Sequence, residues 1–280
     1  MKLTVLVENS TLTDRNFVSE PGLSLFIEVD GKKVLFDTGL SGLFLRNAEA
    51  MQICLRDLDF VVLSHCHYDH SWGLADFIRE MSLKRMEGVT VTTPDLVAHP
   101  LVFASRFRDR YPEAGSLISE ERASHHFALR LSQEPLWLTE NLVFLGEIQR
   151  NHAFEQTDPG DRKIRLSGGI SEPDLLRDDS ALAWQGPDGL VIITGCSHAG
   201  ICNIVEQAMR VTGENRILDI IGGLHLLRPS DERLRETISY LHHISPGTVH
   251  ACHCTSFAAK VAMAQKLPLA ETGVGLTLEY

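Results

Sequence analysis

One alternation constrains this chain more than anything else in it. A short apolar run leads to a histidine, and a segment with helical spacing follows. His65 comes after FVVLS, His198 after LVIIT, His225 after ILDII and His253 after TVHAC. Apolar runs of this length, bounded by turn residues, read as strands, and recurrences at i, i+3 and i+4 read as helices. Strand ends of one sheet meet along one edge. The four histidines are therefore expected to converge in space, in a layered α/β fold.

The rest of the chain fits that plan. Residues 2–8 read as a strand, and 23–28 and 33–37 as a hairpin around Asp30-Gly31, a dipeptide suited to tight turns. Asp37 ends the second arm, either as a turn cap or as a partner that orients a ligand histidine. A helix is expected over 40–53, a strand over 60–64 and a helix over 71–81, where Leu74, Phe77, Ile78 and Met81 share one face. A strand is expected near Val89–Thr92. Residues 94–135 show no clean period and carry Pro94, Pro100, Pro112 and clustered charges, so they read as an insertion covering a cleft. His99, His125, His126 and His152 read as surface or packing residues, because ligands normally sit on rigid elements. A strand pair is expected at 142–149 and 163–167. From 180 onward come strands at 181–184, 190–194, 217–221 and 248–252. Helices follow from 201, over 231–243 with Ser230 as N-cap, and over 256–266 with Thr255 as N-cap.

The richest stretch is residues 61–70, VVLSHCHYDH. Alternate residues of an extended segment share a face, so His65 and His67 can aim at one metal while Cys66 points away. Asp69 and His70 fall where the chain turns into a helix, placed for a second metal. Imidazole and carboxylate together suit zinc, iron or manganese rather than a purely hard ion. Cys252-His253-Cys254 lacks the second cysteine pair of a structural zinc site.

HCHYDH matches the HxHxDH motif, and on it the chain resembles the metallo-β-lactamase superfamily. LSLFIEVDGKKVLFDTG resembles that fold's opening hairpin. VLSHCHYDH, GCSHAGICNIV, IIGGLHL and HCT together are similar to the metal-dependent hydrolase subfamily that includes 7,8-dihydropterin-6-yl-methyl-4-(β-D-ribofuranosyl)aminobenzene 5′-phosphate synthase. The resemblance implies an αββα sandwich, two mixed sheets with helices on the outer faces, in a single domain spanning 1–280. It implies two divalent metal ions, with His65 and His67 at one, and Asp69, His70 and His253 at the other. Relatives usually end the strand matching LVIIT in a bridging Asp. Here Cys196 stands near that position and His198 two residues on, so His198 or Cys196 is the middle ligand. Asp178 or Asp179 could supply the missing carboxylate. His225 is a ligand or a proton donor. Two departures stand out: Trp72, which would narrow the pocket or stack on a ring substrate, and Ser256, where relatives carry Gly.

The implied chemistry is hydrolysis of an ester, amide or phosphoester by a metal-activated hydroxide, or pterin transfer with pyrophosphate leaving. Asp69 would orient the hydroxide and His225 would protonate the leaving group. A di-iron redox protein and a metal-containing ligand-binding or sensor module are the competing readings. The chain has 280 residues, 26 basic and 37 acidic, for a net charge of −11. Such an acidic surface repels phosphate backbones, which argues for a small-molecule substrate, phosphorylated or pterin-like, and against nucleic acid. The N-terminal apolar run is too short for a signal peptide and no apolar span of membrane length follows. A cytoplasmic protein with no membrane partner is expected. Its six cysteines are then buried thiols or metal neighbours rather than disulfides.

Overall fold

The computed structural model describes residues 1–108 and 112–280. Two sheets pack face to face, with helices on both outer surfaces. The first has seven strands, of which β1 (Lys2–Val7), β2 (Ser24–Val29) and β3 (Lys32–Phe36) are antiparallel. Parallel strands β4 (Phe60–Val62), β5 (Asp95–Ala98) and β7 (Ala128–Leu131) extend one side, and β16 (Thr277–Glu279) closes the other beside β1. The second has six strands: β8 (Leu136–Trp137), β9 (Leu142–Phe144), β12 (Ala181–Gly186), β13 (Gly189–Thr194), β14 (Ile217–Gly223) and β15 (Thr248–Cys252). A small third sheet joins β6 (Ser105–Phe107), β10 (Lys163–Arg165) and β11 (Ser171–Pro173).

Strand alternation builds the layers, because successive side chains point to opposite faces. Val34 and Phe36 face inward with Val191 and Ile193 to form the core between the sheets. Leu35 and Val61 face outward against Phe44 of α1 (Leu43–Ala50) and Leu74 and Phe77. Those last two belong to α3 (Gly73–Met86), which follows the single turn α2 (Tyr68–Ser71). Ile192 and Ile220 face outward on the other side, against Val205, Leu241 and Met263. They come from α5 (Ile201–Thr212), α6 (Asp231–Ile244) and α7 (Phe257–Ala264). The result is the αββα sandwich.

Several local expectations shift. The strand expected near Val89–Thr92 lies at Asp95–Ala98. Thr92 is instead tied across the loop by its amide to Arg56 O, at 2.9 Å, and by Arg85 to its carbonyl. The segments 142–149 and 163–167 do not pair. β9 pairs with β8 and β12, whereas β10 pairs with β6 and β11. Within 94–135 the two ends are strands of the seven-stranded sheet, with α4 (Glu120–Ser124) packed before the second. Only its middle reaches toward the site, through β6. Its elements are three to five residues long, too short to print a period on the sequence. Ser230 caps α6 as expected, accepting from Arg233 N at 3.1 Å. α7 is capped by Ser256, accepting from Ala259 N at 3.2 Å, while Thr255 Oγ1 accepts from Leu224 N.

Candidate metal centre

The histidines meet at one edge of the sandwich, where β4, β13, β14 and β15 end. His65 Nε2 and His198 Nε2 each lie 3.1 Å from His67 Nδ1. His70 Nε2 and His253 Nε2 are 3.1 Å apart, and Asp69 Oδ2 lies 3.4 Å from His253 Nε2. Cys196 Sγ stands between the two groups, 3.2 Å from His70 Nε2. Donor atoms of His65, Cys196 and His198 fall within 4.8 Å of one another, and so do those of His70, Cys196 and His253.

The partners behind these rings determine which nitrogens carry lone pairs. Ser64 Oγ donates to the Asp37 carboxylate at 2.7 Å, so it accepts from His65 Nδ1–H at 2.9 Å. His70 donates Nδ1–H to the same Asp37 oxygen at 2.7 Å. His253 donates Nδ1–H to Asn9 Oδ1 at 2.9 Å, an oxygen that also accepts from Gly22 N. In the neutral rings the Nε2 atoms of His65, His70 and His253 are therefore left as lone pairs pointing inward. Were both rings neutral, His70 and His253 would set two lone pairs face to face at 3.1 Å; a metal ion between them relieves that repulsion, as does the second proton that Asp37 and Asp69 favour on His70 in the metal-free protein. Imidazole ligands held by outer partners in this way are the usual construction of a metal site. The donor set fits a divalent metal. Burial holds His65 and His198 well below the ordinary histidine value, and pushes His67 down to about 3 against the pull of Asp69 and Asp178. Neutral imidazole is the form that binds a metal. Burial also pulls at His70, but Asp37 and Asp69 raise it to about 9.

Backbone strain concentrates here. Asp37 (φ 56°), Ser197 (φ 58°), His225 (φ 52°) and His253 (φ 50°) all occupy the left-handed region, which costs a residue other than glycine of order 1 kcal/mol or more. The strain turns each side chain at a strand end toward the edge. Gly195 answers a different need. A Cβ there would stand 2.1 Å from Ser64 Oγ and 3.0 Å from Asp37 Oδ2, inside the relay that orients the rings.

Other residues singled out in the sequence fall as follows. Asp179 Oδ2 accepts from Ala199 N at 2.9 Å, and its Oδ1 is buried without a partner among the described residues. Burial raises its carboxyl to about 7, with the amides of Ala199 and His198 pulling back. It braces the Cys196–His198 turn. Asp178 is committed elsewhere, at 2.7 Å from Arg106 Nη2 and accepting from Cys66 N. The ring of His225 stands 4.3 Å from that of His198. Trp72 does not line the cavity above the centre. Its Nε1 donates to Gly115 O at 2.7 Å, and its ring packs on Tyr68. His99 and His152 contact Glu147 and Glu206, away from the centre.

Sequence reading missed Glu8, Asn9, Ser64 and Arg106. Glu8 Oε1 accepts from His253 N at 2.8 Å. The signal for the first pair was present in LVENS, a polar couple ending an apolar run at the same sheet edge. Cys254 was set aside with the incomplete cysteine pair, yet it lines the cavity and its Sγ lies 3.3 Å from Cys196 O. The cavity measures about 320 Å³ and has His67, Asp69, Cys196, His198, His225 and His253 in its wall.

The sandwich and the histidine edge define a metal-dependent protein of the metallo-β-lactamase superfamily. The superfamily model matches residues 19–148, and the chain belongs to this family. It is 30% identical over 272 residues to the 7,8-dihydropterin-6-methyl-4-(β-D-ribofuranosyl)-aminobenzene-5′-phosphate synthase of Methanocaldococcus jannaschii, covering 93% of this chain and 89% of that one. An uncharacterised protein of the same organism is 27% identical, with 94% of each chain covered. The crystal structure of a metal-dependent hydrolase of the β-lactamase superfamily superposes with a TM-score of 0.83 at 28% identity, over 100% of this chain and 99% of that one. Among the described residues no helix is long and apolar enough to cross a membrane.

Proposed function

We propose that this protein is a dinuclear metal-dependent enzyme that hydrolyses or transfers a small phosphorylated or pterin-like substrate. The observation that carries the reading is the convergence of two donor groups at one edge, His65, His67 and His198 in one and His70 and His253 in the other, with Cys196 between them. One ion would be held by His65, His67 and His198, the other by Asp69, His70 and His253, with Cys196 between. Imidazole, thiolate and carboxylate donors together favour zinc, with iron the next candidate. Bound ions would polarise a carbonyl or phosphoryl oxygen and lower the pKa of water.

The chain's own residues supply the rest. Burial raises the Asp69 carboxyl, but His70, His253 and His67 pull it further down, so it stays ionised. Its free oxygen accepts from the attacking group and fixes its direction. His225, on the cavity wall, delivers a proton to the leaving group. Burial of His65, His70 and Cys196 excludes bulk water from the floor, which strengthens each of these interactions. The synthase relative supports transfer of a pterin group as the alternative to hydrolysis, since the same leaving-group proton serves both.

The test is His67→Ala, with metal content read by elemental analysis, folding by circular dichroism, and turnover against phosphate esters and pterin diphosphates. The expected result is a folded protein with lost metal and no turnover. Unchanged turnover would end the reading.

A further inference from the structure

The helix that follows the His253 loop breaks the pattern its neighbour keeps. The exposed positions of α7 are Phe257, Ala258, Val261 and Ala264, and all four are apolar. Phe257 is 82% exposed and Val261 47%. The positions turned inward, Ala259 and Met263, are apolar as well. A surface helix normally carries polar residues on its outer face, whereas one that is apolar all round is covered. α6 has the usual arrangement: its exposed residues are Asp231, Glu232, Arg235, Ser239, His242 and His243.

The apolar surface continues toward the metal centre. Ser256 N donates to Leu226 O at 3.1 Å, and Leu226 pairs with Thr255 in a parallel bridge. Leu227, 59% exposed, is thereby set beside the start of α7, and it is also part of the cavity wall. The segment that carries the helix holds no acid. Between Glu236 and Glu271 the chain has no Asp or Glu, although 37 of its 280 residues are acidic and its net charge is −11. Lys260, the one charge of α7, is half-buried beside the apolar stripe.

The stripe is complementary to its own copy. Phe257 and Ala264 lie close to two helical turns apart, so they mark opposite ends of one face. Two such helices laid antiparallel about a two-fold axis put the Phe257 ring of each over the small Ala264 of the other. The two Val261 side chains then meet near the axis. A contact of this isologous kind uses one patch twice. It also brings two acidic chains together along a segment free of carboxylates, where their mutual repulsion is least. A lipid surface fits less well, because a helix that lies on one carries a strongly charged, Lys- and Arg-rich polar face, and α7 has a single lysine.

We propose that this protein forms a two-fold dimer through antiparallel pairing of α7, with Leu227 extending the contact to the mouth of the metal centre. The proposal goes beyond the function proposed above and does not depend on it. A helix of this length spans about 12 Å, so α7 supplies the apolar middle of the contact and the surface around Leu227 its edge. Aromatic side chains at the middle of an interface carry much of its energy, which makes Phe257 the anchor.

The experiment is sedimentation velocity of the metal-loaded protein over a range of concentrations. The variants are Phe257→Glu, Val261→Glu, and Phe257→Glu combined with Ala264→Arg. All three positions are exposed, and a carboxylate at the start of a helix or a guanidinium at its end suits the helix dipole, so the monomer keeps its fold and its metal. The wild type is expected to be a dimer. Each single variant should weaken it about 30-fold, the scale of a central anchor lost from an interface. The double variant sets a carboxylate opposite a guanidinium at both ends of the pair and should recover part of that loss. A monomeric wild type would overturn the proposal, and its flotation with phosphatidylcholine vesicles would assign the face to lipid instead. A dimer unchanged by Phe257→Glu and Val261→Glu would place the contact elsewhere and overturn it as well. A double variant no tighter than Phe257→Glu alone would overturn the antiparallel pairing.

Discussion

Asp37 accepts from His70 Nδ1 at 2.7 Å, and the same carboxylate oxygen takes the Ser64 hydroxyl that orients His65. One buried side chain at the end of β3 therefore sets a ring in each half of the centre. Replacing it with alanine frees both rings to rotate and removes the acceptor that fixes their tautomers. Metal affinity of Asp37→Ala is expected to fall about 10- to 100-fold, the usual cost of losing such a partner. Chelator competition measures it, and affinity within twofold of wild type would contradict the relay.

Gly195→Ala tests the packing behind that relay. The added methyl would meet Ser64 Oγ and Asp37 Oδ2, neither of which can move without breaking its hydrogen bonds. Overpacking of this kind costs about 1–3 kcal/mol, and urea unfolding should show it. Metal content should drop with stability, because the clash falls on the ligand-orienting groups. A neutral result in both assays would mean that the β13 end gives way more easily than its contacts indicate.

Arg106 is 2% exposed and sits between Asp174 and Asp178. Arg106→Leu would leave two buried carboxylates without their cation. Removing one partner of a buried pair costs about 3–5 kcal/mol, and denaturant titration should find a loss of that order. Adding Asp178→Asn should return part of it, since the stranded charge is then gone. No rescue in the double variant would show that lost packing, not lost charge pairing, carries the effect.

The metal-free protein should lose stability in acid. His65, His67, His198 and His253 are held neutral by burial, with His67 pushed down to about 3. A histidine lowered on folding contributes stability that is present above its unfolded value of about 6.5 and lost as pH falls through the folded value. His70, raised to about 9, acts oppositely: its contribution is present below about 6.5 and lost as pH rises through 9. The two windows do not overlap, so the Tm of chelated protein should fall as pH drops from 6.5 toward 3, and fall separately as pH rises from 6.5 toward 9. Calorimetric scans across that range check it, and a Tm that rises on acidification below about 6.5 would refute the protonation states assigned here.

Much of the centre could be read from local spacing. The alternation of HCHYDH put His65 and His67 on one face, and the strand-ending histidines at 198, 225 and 253 did reach the same edge. Where two adjacent residues had equal claims, spacing failed. Thr255 and Ser256 are both capping types, and the cap went to Ser256 because Thr255 is held by Leu224 N from a neighbouring strand end. Short elements failed for a related reason: β5 lies six residues beyond its expected position because Leu96 and Val97 reveal their burial on opposite faces only once two layers exist.

The amino-acid sequence by itself determined the strand-end positions of the histidines, which follow from a periodicity acting between near neighbours. It also determined the family, and with it the αββα layering, through the resemblance carried by HCHYDH and the motifs around it. Only the tertiary structure decided which nitrogens face inward, that Cys196 stands between both donor groups, and that Trp72 anchors Gly115 outside the cavity wall. A ring's tautomer is set by whatever accepts its other N–H. For His70 and His253 those acceptors, Asp37 and Asn9, lie 33 and 244 residues away. No local pattern encodes contacts at that separation; the packing of the two sheets brings them together.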